Sequence, residues 1–105
     1  MTEQLTKAVF AQNLNTTFRA FYAPEQALEL VIIEATDPDE HKEVKPKRQE
    51  RFSLLFRGSR DKLLWHGIHK FAHEEMGEFD LYIGPVEHDE EGIYYEAVFN
   101  RLIRR

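Results

Sequence analysis

The chain contains no cysteine. That excludes a disulfide framework, a thiolate metal site and a cysteine nucleophile, and it suits a reducing compartment. Long apolar runs are also missing. No stretch approaches the roughly 18–20 residues of a membrane-spanning helix, so no membrane partner is expected. The opening MTEQLTKAVF lacks the basic segment and apolar segment of a secretory leader. The expected location is therefore the cytoplasm. Serine is scarce. Ser53 lies mid-strand between Phe52 and Leu54, Ser59 follows Gly58 in a loop, and neither sits in a GxSxG elbow. With no nucleophile beside an evident base, no catalytic residue is assigned and no enzyme is expected. Positive charge is in deficit, with 14 Lys and Arg against 19 Asp and Glu and a net charge of −5. A nucleic-acid partner held by bulk charge is not expected.

What the chain does have is aromatic bulk. Eight phenylalanines, four tyrosines and one tryptophan in 105 residues imply a compact aromatic core. The length fits one domain, residues 1–105. Residues 2–13 read as a helix capped by Thr2, with Leu5, Ala8 and Val9 as its apolar stripe and Asn13 or Asn15 taking the left-handed turn at its end. After that the hydrophobic period drops to two. Strands are expected over 16–23, 28–35, 51–57, 67–74, 79–84 and 93–100. A polar loop spans 36–50, and turns fall at 75–78 and 88–92. Phe52, Leu54 and Phe56 share one face of their strand, as do Phe79, Leu81 and Ile83 of theirs. Such a succession predicts a mainly β fold, an antiparallel meander of about six strands curling into a small barrel or sandwich. The N-terminal helix plugs one end or edge.

The segment HGIHKFAHEEMG (66–77) raises the question of a metal. His66, His69 and His73 would line one face of a helix, but Gly67 and Gly77 each cost a helix about 1 kcal/mol relative to Ala. Read as a strand, the segment places His69, Phe71 and His73 on one face and separates the two histidines by roughly 13 Å at about 3.3 Å per residue. One zinc ion, with ligands at about 2.0–2.1 Å, does not bridge that. No metal and no cofactor is expected. The acidic DPDEH run (37–41) offers oxygen ligands but lacks the glycine and terminal glutamate of a calcium loop. The basic clusters KPKRQER (45–51) and RLIRR (101–105) read as solvated segments. Arg57 and Glu96 fall on outward positions of their strands. If the strands are neighbours, the two are expected to form a cross-strand salt bridge or part of a polar network.

In order along the chain stand RFSLLFRG (51–58), Gly67, the HxxxG of 73–77, FDLYIGPV (79–86), DxxG (89–92) and YEAVFNR (95–101). Together these segments resemble the DUF6916 family, small bacterial proteins of unknown function. The likeness covers residues 51–101 closely and the N-terminal half in outline. Two departures stand out: KLLWH replaces a proline-rich connection before Gly67, and the 36–50 loop is longer and more charged. The resemblance implies a small β-rich domain with no known chemistry, in the company of phage-tail-like or secreted-particle genes. It also implies that His69 replaces a tyrosine and packs as aromatic bulk, and that His73 hydrogen-bonds the backbone of the turn that follows it. The functional expectation is a non-catalytic protein-interaction module, an accessory or structural component of a larger assembly. Its protein partner would be encoded by a neighbouring gene, and His73, Arg57 and Glu96 are candidate partner-binding residues. The alternative is a small barrel that binds an apolar ligand, which requires an open interior. A third reading, an enzyme using His73 with Glu74 or Glu96, requires these side chains to meet in one cleft.

Overall fold

The computed structural model describes residues 5–36 and 49–102. Thr2, the DPDEH run, most of KPKRQER and the end of RLIRR lie outside the described residues. One short helix, α1 (Lys7–Ala11), precedes six strands: β1 (Thr17–Ala23), β2 (Gln26–Thr36), β3 (Gln49–Gly58), β4 (Gly67–His73), β5 (Gly77–Asp89) and β6 (Gly92–Leu102). They form a closed antiparallel barrel in the order β1-β2-β3-β6-β5-β4. Two three-stranded meanders, β1 to β3 and β4 to β6, thus close on each other. The long β3–β6 ladder runs from Gln49↔Leu102 to Gly58↔Ile93, whereas β1 and β4 meet only at Arg19↔Ala72 and Ala20↔Phe71.

Period-two patterning decides the inside of the barrel. Phe18 and Ala20, Leu30 and Ile32, Phe52, Leu54 and Phe56, Phe71, Leu81 and Ile83, Tyr95 and Ala97 all point inward and are buried. In β3 and β5 this is the face on which the sequence aligned Phe52, Leu54 and Phe56, and Phe79, Leu81 and Ile83. Strand ends differ more. The turn between β5 and β6 contracts to Glu90 and Glu91, and β5 runs through Pro85 to Asp89. A proline cannot donate to a ladder. Here a register shift between Pro85 and Glu87 absorbs it, a bulge that lets the strand continue.

The helix is shorter than expected and buries a different residue. Thr6 caps it, its side chain accepting from the Val9 N–H at 3.2 Å. Ala8, assigned to the buried stripe, is exposed, and Phe10 is fully buried. Five residues make too few turns for a stripe to matter. What counts is the one ring that reaches the barrel mouth. The Phe10 ring lies 5.7–6.3 Å from the rings of Phe18, Phe52, Phe79 and Phe99. Burying it stabilises the fold by about 1.5–3 kcal/mol. Asn15, at φ 68°, makes the left-handed exit from the helix, and its N–H donates to the Ile32 carbonyl at 2.7 Å.

The other end of the barrel is closed by the connection 59–66, which carries the chain from β3 across to β4. Leu64 is its buried plug. The Leu64 N–H donates to the hydroxyl of the fully buried Tyr95 at 3.0 Å. Burial pushes that phenol's pKa above its ordinary value, and the hydrogen bond from Leu64 opposes the shift in part.

Candidate functional site

The three histidines of 66–73 go to three separate places. His66 lies over Gly84 on β5, where a Cβ would run into its ring, so glycine is what makes room for it. His69 is half-buried, with Nδ1 3.1 Å from the Phe21 carbonyl oxygen and Nε2 2.9 Å from that of Trp65. It therefore ties the 59–66 connection to β1 by hydrogen bonds. Aromatic bulk, the role expected for it, is only part of its work, because a ring nitrogen at each edge finds a main-chain acceptor. A neutral ring carries one N–H and serves one of the two carbonyls at a time.

His73, at the end of β4, is buried and its ring centroid stands 4.2 Å from that of Phe18. The N–H groups of Glu75 and Met76 donate to its Nδ1 at 3.0 and 3.1 Å. An accepting Nδ1 puts the proton on Nε2. Nε2–H then donates to Thr16 Oγ1 at 2.9 Å, and the Thr16 hydroxyl donates to the Asn13 carbonyl at 2.6 Å. His73 thus pins the β4–β5 turn, as the resemblance implied, and links it to the exit of α1. Both nitrogens are engaged, which leaves neither free as a base or as a metal ligand. Thr16 went unnoticed in the sequence, since nothing local marks a residue 57 positions away as the partner.

Arg57 and Glu96 are on neighbouring strands but do not pair with each other. Arg57 lies opposite Tyr94, and Glu96 opposite Leu55. The guanidinium instead approaches Glu91 in the β5–β6 turn, Nη1 to Oε1 at 3.9 Å. The two-residue turn brings Glu91 back over the end of β3, closer than Glu96. In that turn the Asp89 carboxylate accepts from the Glu91 N–H at 2.8 Å and from the Tyr94 hydroxyl at 3.0 Å. The Glu91 N–H chiefly, then the Tyr94 hydroxyl, holds the Asp89 pKa below its ordinary value despite an opposing effect of desolvation. The same contact raises that of Tyr94. These groups organise a hairpin on the surface. Glu96 is exposed and sits near Gly84 in the β5–β6 ladder, while His73 pairs with Gly77. Seven residues of β5 separate those levels, roughly 23 Å at about 3.3 Å per residue. His73 and Glu96 do not meet in a cleft. Ser59 accepts from the Asp61 N–H at 3.0 Å and is a turn residue.

The interior is occupied by the protein's own rings. Phe52 and Phe99 stack at 4.5 Å, Phe56 meets Phe71 at 5.5 Å, and Phe71 meets Phe79 at 5.9 Å. On the outside, an open hollow of about 550 Å³ lies at the short β1–β4 seam, with Ala72 and His73 among its lining residues and Arg19, Glu29, Glu74 and Glu78 around them. No buried side-chain polar atom among the described residues lacks a hydrogen-bond partner. No group of three or more metal-ligating side chains occurs among the described residues, and none of their helices is long and apolar enough to cross a membrane.

The outer face carries what the sequence reading passed over. Ile68 and Tyr82 are directly paired across β4 and β5 and are 70% and 61% exposed. Trp65, just before β4, is 69% exposed, and Val98 on β6 is 63% exposed. The β5–β6 register, carried two residues past Gly84↔Glu96, sets Val98 level with Tyr82. Parity alone put Ile68, Tyr82 and Val98 outside. Only the register shows that Ile68 and Tyr82 are neighbours.

No curated protein and no solved structure matches this chain. One family model does, over residues 5–99, and that span takes in α1 and nearly all of the barrel. The match takes in the segments that carried the resemblance as far as Phe99 and, from Leu5 on, the N-terminal half that fitted in outline, and the chain belongs to the DUF6916 family, a domain of unknown function.

Proposed function

We propose that this protein is a non-catalytic protein-interaction module, an accessory or structural component of a larger bacterial assembly. A phage-tail-like particle is the setting that the resemblance suggests. The observation that carries this reading is the outward apolar group of Ile68 and Tyr82 with Trp65 and Val98 nearby. Single exposed apolar side chains are ordinary, whereas large ones gathered on one side of a small barrel mark a surface that another molecule covers. The engagement of both His73 nitrogens supports a scaffold role for that residue rather than a chemical one. The aromatic packing inside speaks against a ligand held within the barrel.

The test is co-expression of the full chain with the products of its neighbouring genes, followed by size-exclusion chromatography. Wild type is expected to co-elute with one of them. The double variant Ile68→Lys, Tyr82→Lys is expected to lose that partner while keeping its circular dichroism, since surface changes of this kind usually alter stability by no more than about 0.5 kcal/mol. A chain that elutes alone beside every neighbouring product overturns the reading.

A further inference from the structure

Among the described residues, the barrel closes between β5 and β6 over only part of their length. The β5–β6 ladder runs from Asp89↔Gly92 only as far as Gly84↔Glu96. Below that point β6 continues against β3 to Leu102, and β5 continues against β4 to Gly77. Among the described residues no ladder joins β5 residues 78–83 to β6. α1 has its main backbone contacts with β2, and its Phe10 ring reaches Phe79 and Phe99. A strand offers alternate N–H and C=O groups to each side. Every second residue of 78–83 therefore presents an N–H and a C=O with no ladder partner among the described residues. Such an edge is a template for another strand unless something blunts it.

We propose that the 78–83 edge of β5 takes an added strand from a partner protein. That strand is an extended segment with basic side chains at two alternate positions and an apolar one at the next. The inference rests on the interaction reading above and specifies its mode. The occupant follows from the side chains of the edge. Glu78, Asp80 and Tyr82 face outward and are exposed, and Tyr82 stands across the gap from Val98. Lys70, opposite Asp80 and 3.3 Å from Glu78, is one cation against two carboxylates, with Glu74 close by at the turn. Opposite charges directly across a strand pair stabilise it and like charges oppose it. A lysine or arginine opposite Glu78 and another opposite Asp80 complete the pairing, and an apolar side chain beside Tyr82 covers that ring and Val98. A second copy of this chain adds the same edge and so sets acid near acid, which disfavours self-pairing. Backbone hydrogen bonds hold a strand added in this way, and alternate side chains select it.

The experiment uses the full chain and two labelled octapeptides, one of valines with lysine at two alternate positions and one with glutamate in place of those lysines. In the free protein the unpaired amides within 78–83 exchange rapidly with solvent, whereas those of the β3–β6 ladder are protected. The lysine peptide binds by fluorescence anisotropy, protects the 78–83 amides and weakens with salt, and the glutamate peptide does not bind. The double variant Glu78→Lys, Asp80→Lys reverses this preference, and its circular dichroism is that of wild type. Slow exchange of all the 78–83 amides in the free protein means the edge is already covered, and overturns the proposal. So does a dimer that protects them, lysine-peptide binding indifferent to the charge reversal, or no binding up to about 1 mM peptide, the weak end of specific recognition. A neighbouring gene product that is lost with Tyr82→Lys yet ignores the charge reversal refutes the edge and leaves the interaction reading standing.

Discussion

Replacing His73 by leucine tests the fold where its two halves join. The substitution keeps apolar bulk beside Phe18 but removes three hydrogen bonds: those from the Glu75 and Met76 N–H groups and the one to Thr16. A typical intramolecular hydrogen bond contributes about 1 kcal/mol net, and a buried donor left without a partner costs about 1–3 kcal/mol. Met76 is buried, so its N–H is the group stranded. The loss comes to roughly 3–4 kcal/mol, a large share of the ~5–15 kcal/mol that holds a domain of this kind together. Asparagine is the informative control. Its Oδ1 falls close to where Nδ1 stands and still accepts from the turn, so His73→Asn loses mainly the Thr16 bond and costs about 1–2 kcal/mol. The assay is urea unfolding followed by circular dichroism, with midpoints compared at constant m. Thr16→Val alone and combined with His73→Leu completes a double-mutant cycle, with an expected coupling of about 1 kcal/mol. A leucine variant within about 0.5 kcal/mol of wild type, or an asparagine variant no better than leucine, refutes the account of His73 as the pin of the turn.

The remaining predictions concern the two ends of the barrel and its tight hairpin. Phe10→Ala empties the mouth ringed by four phenylalanines and is expected to cost about 3–5 kcal/mol in the same assay; a cost below about 1 kcal/mol would show that the helix is not part of the core. Tyr95→Phe removes the acceptor of the Leu64 N–H, with an expected loss of about 1–2 kcal/mol and faster amide exchange at Leu64. Unchanged exchange there would mean that the hydroxyl does not hold the 59–66 connection. Asp89 titrates below its ordinary value because it is hydrogen-bonded in the hairpin. Its contribution is present above the ordinary aspartate range and is lost as pH falls through the lowered folded value. Asp89→Asn should flatten that part of the acid limb, and an Asp89 carboxyl that titrates by NMR at or above the ordinary value contradicts the assignment.

How much of this was legible beforehand depends on the range of the interaction concerned. Alternation over 51–57, 79–84 and 93–100 told which side chains face inward, because the side-chain period of a strand is set by its own backbone. Gly67 and Gly77 told where β4 begins and where its following turn ends, through backbone conformations that few other residues adopt; Asn13 and Asn15 were both candidates for the helix exit, and Asn15 takes it. The same local logic failed for α1. A stripe of Leu5, Ala8 and Val9 is the best guess from spacing, yet Phe10 is buried because the barrel mouth has room for one ring. It failed again for Arg57, whose expected partner Glu96 sits on the right strand but gives way to Glu91 once the hairpin turn has folded over.

The sequence by itself determined the class of fold, six short amphipathic strands and a helix, and the family to which the chain belongs. Both follow from patterns that run along the backbone and need no knowledge of what lies across from what. Tertiary structure alone decided that β3 pairs with β6 and β4 with β1, that Thr16 completes the hydrogen bonding of His73, and that Ile68 and Tyr82 form an apolar pair on the surface. It also decided that β5 and β6 part company at Gly84 and leave an acidic strand edge beside that pair. These are properties of register and closure. A one-residue slip would turn every side chain to the opposite face, so they exist only once the barrel has closed.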